Sequence, residues 1–150
     1  MNYQDLIDKG FIKKEEIGFD QISKTIGKAY QKIRASEILL ENDVEEDAYA
    51  LAYEAMLLAG RALVFSCGFR PRAVGSHKTV VEFTRRIIGD RYDILVKKFD
   101  KMRKKRHYII YGSSSDVSPT EAQNAIKSAT EFLEKIKQEI AAKNPQQKLL

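Results

Sequence analysis

The sequence predicts an all-α protein, an up-and-down bundle of four main helices with a short N-terminal helix before them. Apolar residues recur at steps of three and four along most of the chain, which is the spacing of one face of an amphipathic helix. Glycine (8) and proline (3) are few among the 150 residues, and strand-like alternation is nowhere sustained. A chain of this length fits one hydrophobic core, so we expect a single domain over residues 1–150, with 1–18 as a short N-terminal element.

Two long helices are predicted in the first half of the chain. The first begins at about Asp20 and ends at Asn42. Asp43 followed by Glu46 has the form of a capping box and predicts a second helix that runs to about Cys67. The many small residues of this second helix allow neighbouring helices to approach closely. We therefore expect it to lie at the centre of the bundle.

The next helical region contains two boundary signals. Ser76 is expected to cap its start. Gly89 with Asp90 predicts that one helix stops there and that a strongly basic helix begins. A polar loop is predicted over residues 112–115, after the basic helix.

The last helix has the clearest start. Ser118 and Glu121 have the form of a capping box, and Pro119 occupies the first helical position, where its missing N–H is not needed. The apolar stripe that follows has the regular steps of an antiparallel bundle. Its members are Ala122, Ile126, Ala129, Leu133, Ile136 and Ile140. Residues 144–150 are expected to form a frayed tail.

Charge is distributed unevenly along the chain. Lys and Arg number 26 and Asp and Glu 21, which gives a net charge of +5. The stretch Ala35–Gly60 has seven acids and no base, whereas Arg85–Arg106 has ten bases and three acids, a net +7. Because all of the positive excess lies in one window, the sequence favours an acidic partner such as nucleic acid or an acidic protein surface.

Several function classes find no support in the sequence. The single Cys67 cannot form an internal disulfide, acids interrupt the first ten residues, and no apolar run approaches the ~18 residues of a membrane span. We therefore expect a cytoplasmic protein without a membrane partner. His77 and His107 lie far apart and no Gly-rich phosphate loop precedes a helix, so no metal and no cofactor are expected.

One residue breaks the apolar stripe of the basic helix. The stripe runs through Leu95, Phe99 and Met102, and its next position holds Arg106 before apolar character returns at Ile109. An unpaired guanidinium that is removed from water costs several kcal/mol. Arg106 must therefore have a partner.

Three environments would satisfy this guanidinium. A carboxylate of the acidic helix, such as Glu46 or Glu54, would give Arg106 a purely structural use. A subunit interface would give it a use in assembly, and a cleft would let it receive an anion. Arg103 lies one turn earlier beside the same stripe. The residue pattern leaves these alternatives open.

The run from Arg103 to Tyr111 resembles the hallmark of HEPN domains, which are small helical bundles. In the hallmark, an Arg is followed by a polar residue and, after a short spacer, by a His. Further segments resemble the family in the same order: Ala48–Met56, Gly60–Leu63, Gly68 with Pro71, Ser76–Lys78 and Ser118–Phe132. The resemblance covers roughly residues 20–140, and the order and spacing of its segments are more specific than any segment alone.

The chain departs from this hallmark at one position. Arg106 fills the Arg position and His107 the polar one, but Tyr111 stands where ribonuclease members have His. The resemblance implies that the Arg stabilises phosphate and that the His acts on the 2′-hydroxyl or the leaving oxygen, without metal and usually across a homodimer. Tyr has an ordinary pKa of ~10 and keeps its proton at neutral pH, whereas His at ~6.5 can take and give one. The substitution favours binding over catalysis.

The candidate catalytic residues are Arg106, His107 and Tyr111, because His107 could act from the polar position. Five residues turn an ideal helix by about 140°, so Arg106 and Tyr111 are not expected to share one face of a straight helix. His77 is a candidate accessory residue, although a histidine at a helix start more commonly caps or packs. The residues predicted to bind phosphate or RNA, with Tyr available for stacking, are Arg103, Lys104, Lys105, Arg106 and Tyr108.

Three functions follow from the resemblance and the substitution. The first is a homodimeric module that binds RNA or a nucleotide and acts with a partner, since similar proteins are often encoded beside minimal nucleotidyltransferases in toxin–antitoxin or defence systems. The second is a metal-independent endoribonuclease with a composite site across a homodimer. The third is a structural or regulatory helical subunit that binds no nucleic acid. Tyr111 in the His position favours the first.

Overall fold

Helices dominate the fold in the computed structural model, which describes residues 3–112 and 116–144. The elements are α1 (Gln4–Asp8), β1 (Ile12–Lys14), α2 (Phe19–Glu41), α3 (Glu45–Ser66), β2 (Phe69–Pro71), α4 (Ser76–Tyr111) and α5 (Pro119–Lys143). The predicted bundle of four main helices and a short N-terminal helix is confirmed. The predicted loop and tail lie outside the described residues, except for their first residues, Gly112 and Asn144.

The helix α3 lies at the centre of the bundle, as its small residues predict. It packs against α2, α4 and α5, and its larger side chains, such as Tyr53 and Met56, are fully buried. Gly60 marks the closest approach, because a Cβ added there would lie 2.5 Å from Cγ1 of Val80 on α4. A residue without a Cβ is therefore needed to bring α4 against α3 at this level.

By length and composition alone, α3 could cross a membrane. No uninterrupted apolar run of the sequence predicted such a segment, because Glu54 and Arg61 interrupt the apolar residues of α3. Within the bundle, 78% of the apolar window is buried. Burial on all sides is the ordinary environment of a helix that is apolar around its whole circumference.

Two predicted N-caps are wrong. Asp43 lies in the turn before α3 with a left-handed φ of 61°, and the N-cap is Val44, which makes no side-chain cap bond. At α4, Ser76 is already the first helical residue and Gly75, with a φ of 69°, is the N-cap. A side chain that caps a helix usually sits on an extended backbone, and these tight left-handed turns replace that geometry.

The start of α5 is as predicted. Ser118 Oγ accepts a hydrogen bond from the N–H of Glu121 at 3.1 Å, and the Glu121 carboxylate accepts one from the N–H of Ser118 at 3.4 Å. Pro119 is the first helical residue. The predicted stripe of α5 faces the core, with Ile126 as its one half-buried member.

The predicted break in this region is present, but it lies at Tyr92 and not at Gly89–Asp90: the segment Ser76–Tyr111, labelled α4, consists of two helical halves that meet there. The halves fold back on each other, because a Cβ added to Gly60 would lie 2.5 Å from Val80 of the first half and 3.5 Å from Phe99 of the second. The departure from helical geometry falls at Tyr92 (φ −132°, ψ 45°). Arg91 and Lys135 place their cations 5.6 and 5.4 Å from the centre of the Tyr92 ring, so contacts with α5 support the kink.

Two short strands were not predicted from the sequence. The strands β1 and β2 pair in antiparallel orientation, with Lys13 opposite Arg70. Each contains three residues, which is too few for alternation to be recognised. The ribbon ties the segment after α1 to the segment after α3.

Candidate functional site

The second half of α4 carries most of the predicted site residues. Leu95, Phe99 and Met102 are buried as predicted, and the Phe99 ring lies 4.9 Å from the ring of Phe132 on α5. This packing fixes the rotation of α4 about its axis. Arg106, the next member of the stripe, is consequently drawn inward, and 21% of its side chain remains exposed.

Arg106 is paired with Glu54, one of the two carboxylates that the sequence suggested. Arg106 Nη2 lies 3.5 Å from Glu54 Oε1, and the other Glu54 oxygen lies 3.5 Å from Lys32 Nζ. The guanidinium is only partly satisfied, because its Nε is buried without a hydrogen-bond partner among the described residues. Since a buried donor without an acceptor is costly, this Nε–H can gain from an added acceptor.

His77 faces the same group of charges. Its Nδ1 lies 2.9 Å from the hydroxyl oxygen of Tyr53 on α3. Burial, and then the positive charges of Arg106, Arg61 and Arg103, lower the pKa of His77. The imidazole is therefore neutral at pH 7. Burial raises the pKa of Tyr53 although the same arginines oppose it, so the phenol keeps its proton and can donate it to the imidazole.

Arg61 and Tyr53 are site residues that the sequence analysis did not single out. Arg61 is the only base on α3, and it follows Glu54 by seven residues, which places both on one helix face two turns apart. A signal for Arg61 was present, since a lone base in a helix of small and apolar residues is as anomalous as Arg106 in its stripe. Tyr53 gave no signal, because an aromatic residue in a core helix is ordinary.

The other predicted phosphate-binding bases are paired with acids. Arg103 donates to Asp100 from Nε at 3.0 Å and from Nη2 at 2.9 Å, and Lys104 Nζ lies 3.2 Å from the same carboxylate. Burial alone would raise the pKa of Asp100, but the hydrogen bonds from Arg103 and Lys104 lower it overall. Lys105 pairs with Glu121 on α5. The folded protein therefore neutralises much of the charge that the sequence concentrates here.

His107, Tyr108 and Tyr111 lie on the outer side of α4. Tyr108 is 64% exposed and Tyr111 72% exposed, and the His107 and Tyr111 rings lie 4.9 Å apart. Because α4 stays helical through Tyr111, the expected 140° rotation separates this residue from Arg106. The predicted catalytic trio is thus divided: His107 and Tyr111 are together, whereas Arg106 shares its surroundings with His77.

Near the end of α4, the half-buried Arg106 is paired with a carboxylate of α3, and its charge acts on the imidazole of His77 at the start of α4 itself. The family model of the HEPN domain matches residues 22–140. The chain belongs to the HEPN-domain family. The match extends from the first turn of α2 to the last turns of α5. A search of curated proteins finds no match.

The site of this HEPN protein is suited to anion chemistry. Its partly satisfied guanidinium can donate to phosphate oxygens, and the neutral His77 can accept a proton. Within residues 3–112 and 116–144, no group of three or more His, Cys, Asp or Glu residues is arranged to hold a metal ion. The groups gathered at this HEPN site include the guanidinium of Arg106, its partner carboxylate of Glu54, the imidazole of His77 and the phenol of Tyr53.

Proposed function

We propose that this HEPN protein is a binding module that holds a phosphate group of RNA or of a nucleotide at Arg106, with Arg103 beside it. The observation that carries the proposal is the unmet hydrogen bonding of Arg106, whose Nε is buried without an acceptor in the described part of the chain. Phosphate oxygens accept charge-assisted hydrogen bonds from a guanidinium in a bidentate manner. They would supply the acceptors that Glu54 leaves missing.

The ion pair with Glu54 is also the arrangement expected of a purely structural Arg106, and its geometry favours binding instead. The separation of 3.5 Å is longer than the about 2.8 Å of a charge-assisted hydrogen bond. Glu54 is 30% exposed and is shared with Lys32. Pairs this accessible to water contribute about 1 kcal/mol or less, so an incoming phosphate can compete with the carboxylate.

The test of this function is nucleotide and RNA binding by the full chain and its Arg106→Ala variant. We expect Arg106→Ala to bind a mononucleotide and a short single-stranded RNA at least about tenfold more weakly, since hydrogen bonds to charged groups contribute about 1.5–3 kcal/mol. The matched control is Lys24→Ala, because Lys24 is exposed on α2 and has no ion pair within the described residues. Equal affinity of wild type and Arg106→Ala would refute the proposal.

The end of α4 supports a homodimer as the acting form. Tyr108, Ile110 and Tyr111 are exposed together there, and aromatic residues are enriched in protein interfaces. We expect a dimer in light scattering and a monomer when Tyr108 and Tyr111 are changed to Ser. A monomeric wild type would contradict this part of the proposal.

The biological setting proposed for the module rests on its family. It would act in the cytoplasm with a nucleotidyltransferase-type partner of a toxin–antitoxin or defence system. A nucleotidyltransferase gene beside its own, whose product co-purifies with the chain, would support this setting. Co-expression without association would contradict it.

Metal-independent RNA cleavage is a second candidate function, and the position of His77 favours it. The imidazole lies where the charge of Arg106 acts on it, so a proton acceptor is present although Tyr111 replaces the motif His. In this reaction His77 would take the 2′-hydroxyl proton, the 2′-oxygen would attack phosphorus, and the 5′-oxygen would leave protonated by water while Arg106 stabilises the phosphate.

RNA incubated with the protein in EDTA tests this candidate. We expect cleavage by wild type and by Tyr111→Phe, but none by His77→Ala or Arg106→Ala. Cleavage that survives in His77→Ala and disappears in His107→Ala would assign the base to His107. No cleavage by wild type would leave the binding module as the function.

A further inference from the structure

A second basic region lies where the β1–β2 ribbon meets the start of α4. It is an open groove of about 1090 Å³. The bases that line it are Lys9, Lys13, Arg61, Arg70 and Arg72, and no Asp or Glu is among its lining residues. The groove therefore presents charge of one sign, drawn from segments that are far apart in the sequence.

Few carboxylates compensate these bases. Lys9, Arg61 and Arg72 form no ion pair with any other described residue, whereas Lys13 and Arg70 share the single carboxylate of Glu15. Like charges that converge on a concave surface focus a positive potential and attract anions. The groove thus offers unpaired cations, in contrast to Arg103, Lys104 and Lys105 of α4.

The groove also has aromatic and backbone groups suited to a nucleic-acid strand. Phe11 is 45% exposed at its edge, and the Phe65 ring lies 5.1 Å below the Arg70 guanidinium. The start of α4 adds the positive end of a long helix, with Gly75 as an N-cap that has no side-chain acceptor and no acid in the first turn. Nucleobases stack on exposed aromatic rings, and phosphate groups bind favourably at the positive end of a helix.

The groove continues toward the Arg106 site. Arg61 lines the groove, and its charge is one of those that lower the pKa of His77. Ser76, also a lining residue, precedes His77 in the chain. Arg61 and Glu54, the partner of Arg106, lie two helical turns or about 10 Å apart on α3. The two sites are therefore neighbours along one side of the bundle.

We propose that this groove binds the backbone of a single-stranded RNA whose neighbouring nucleotide occupies the Arg106 site. The inference rests on the proposed function, to which it adds a path for the strand. The nucleobases of a single strand are free to stack on the exposed Phe11 ring, whereas the nucleobases of a duplex are already stacked on one another. The occupant is a strand because the lining cations come from α3, from both strands of the ribbon and from the segments after α1 and β2, in a groove of about 1090 Å³ that is far larger than one phosphate group.

The experiment compares RNA of two lengths and two double variants of the full chain. Lys13→Gln/Arg72→Gln removes two exposed groove bases, and Lys24→Gln/Lys28→Gln removes two exposed bases of α2 as the matched control. Binding of a mononucleotide and of single-stranded RNA of about 12 nucleotides, within the usual range of strand site sizes, is measured over a series of salt concentrations. Thermal melting checks that all variants fold.

We expect the groove variant to bind the long RNA about tenfold more weakly and the mononucleotide as wild type does. Each lost phosphate contact with a single strand lowers the slope of log affinity against log salt by about 0.7, so the slope should fall by about 1.4. The control should change neither quantity. Phe11→Ala should weaken binding of the long RNA while leaving the salt slope unchanged.

The groove and the proposed function fail in different ways. If the groove variant binds long RNA with wild-type affinity and slope while Arg106→Ala loses the mononucleotide, the groove proposal is wrong and the function stands. If the groove variant binds long RNA more weakly while Arg106→Ala binds both ligands as wild type does, the groove proposal stands and the proposed function is wrong. A wild type that binds neither ligand overturns both.

Discussion

The basic half of α4 and the ribbon groove contain similar numbers of bases, but the bases face different groups. On α4, Arg103 and Lys104 contact Asp100, and Lys105 contacts Glu121. The groove gathers five bases from α1, the ribbon and α3, and they face one carboxylate, Glu15. The bases concentrated near the end of α4 meet counter-charges from α4 itself and from α5, whereas the bases that the fold assembles in the groove meet fewer.

Arg106 differs from these three bases of α4, and the difference shows what distinguishes a binding residue from a paired one. Its carboxylate partner is distant and shared, and its Nε has no acceptor in the described structure. Unmet donors, more than net charge, therefore identify where an anion is needed. The following variants test this contrast between satisfied and unsatisfied bases.

The largest expected effect comes from Gly60→Ala, which forces α3 and α4 apart beside the site. The added Cβ would lie 2.5 Å from Val80 and 3.5 Å from Phe99, and overpacking of this kind costs about 1–3 kcal/mol. Urea unfolding should show the loss, and mononucleotide affinity should fall because Arg106 and His77 reside on the displaced helix.

Gly89→Ala on α4 is the matched control for this substitution. Its Cβ would meet only the flexible side chain of Arg85, at 3.2 Å, so helix propensity should dominate and raise stability by about 0.5–1 kcal/mol. A Gly60→Ala protein as stable as Gly89→Ala would show that the close approach of α3 and α4 is not required.

Glu54→Gln should separate pairing from binding at Arg106. Removing the competing carboxylate should tighten mononucleotide binding about twofold to fivefold, because a pair this exposed contributes up to about 1 kcal/mol. Isothermal titration measures the change. Glu139→Gln, which removes the partner of Arg91 on the other half of α4, is the control and should leave affinity unchanged. Weaker binding by Glu54→Gln would make Glu54 a group that positions Arg106.

A smaller effect is expected from pH through His77. Burial and the neighbouring arginines lower its pKa below 6.5, so the unfolded chain binds a proton more readily than the folded one. The stability that depends on neutral His77 is complete above pH ~6.5 and is lost as pH falls through the lowered folded pKa. The difference in unfolding free energy between wild type and His77→Gln should change over that interval.

Nucleotide binding should oppose the lowering of the His77 pKa. A phosphate at Arg106 offsets positive charge, so the pKa of His77 followed by NMR should rise when a nucleotide is added. His107→Gln should leave that titration unchanged. If the pKa of His77 does not change when nucleotide is added, the phosphate does not bind at Arg106.

The smallest effect is expected from Tyr111→Phe. The side chain is exposed and contacts His107 through its ring, which phenylalanine retains. Stability should stay within about 0.5 kcal/mol of wild type, and mononucleotide affinity at Arg106 should be unchanged. Loss of nucleotide binding on removal of this one hydroxyl would show that Tyr111 reaches the site, as the partner residue of a second copy.

Local features of the chain were predictable and distant ones were not. The start of α5 followed from Ser118 and Glu121, because both partners of a capping box lie within one turn. The inward position of Arg106 followed from the helical period. The groove could not be found this way, since Lys9, Arg61 and Arg72 converge only after β1 pairs with β2.

Errors at helix boundaries have a related origin. Gly89 predicted the break because glycine weakens a helix locally, but the break lies at Tyr92, whose ring packs beside the cations of Arg91 and Lys135. The role of His77 was likewise decided by a contact across 24 positions, the hydrogen bond with Tyr53.

The break at Tyr92 brings the two ends of α4 together. His77 and Arg106 are 29 positions apart in the chain, a separation of about 43 Å along a straight helix. In the folded protein the charge of Arg106 acts on His77, and Lys78 and Arg103 line one cavity. A variant with a straight α4 would therefore lose the site without a change in any of its residues.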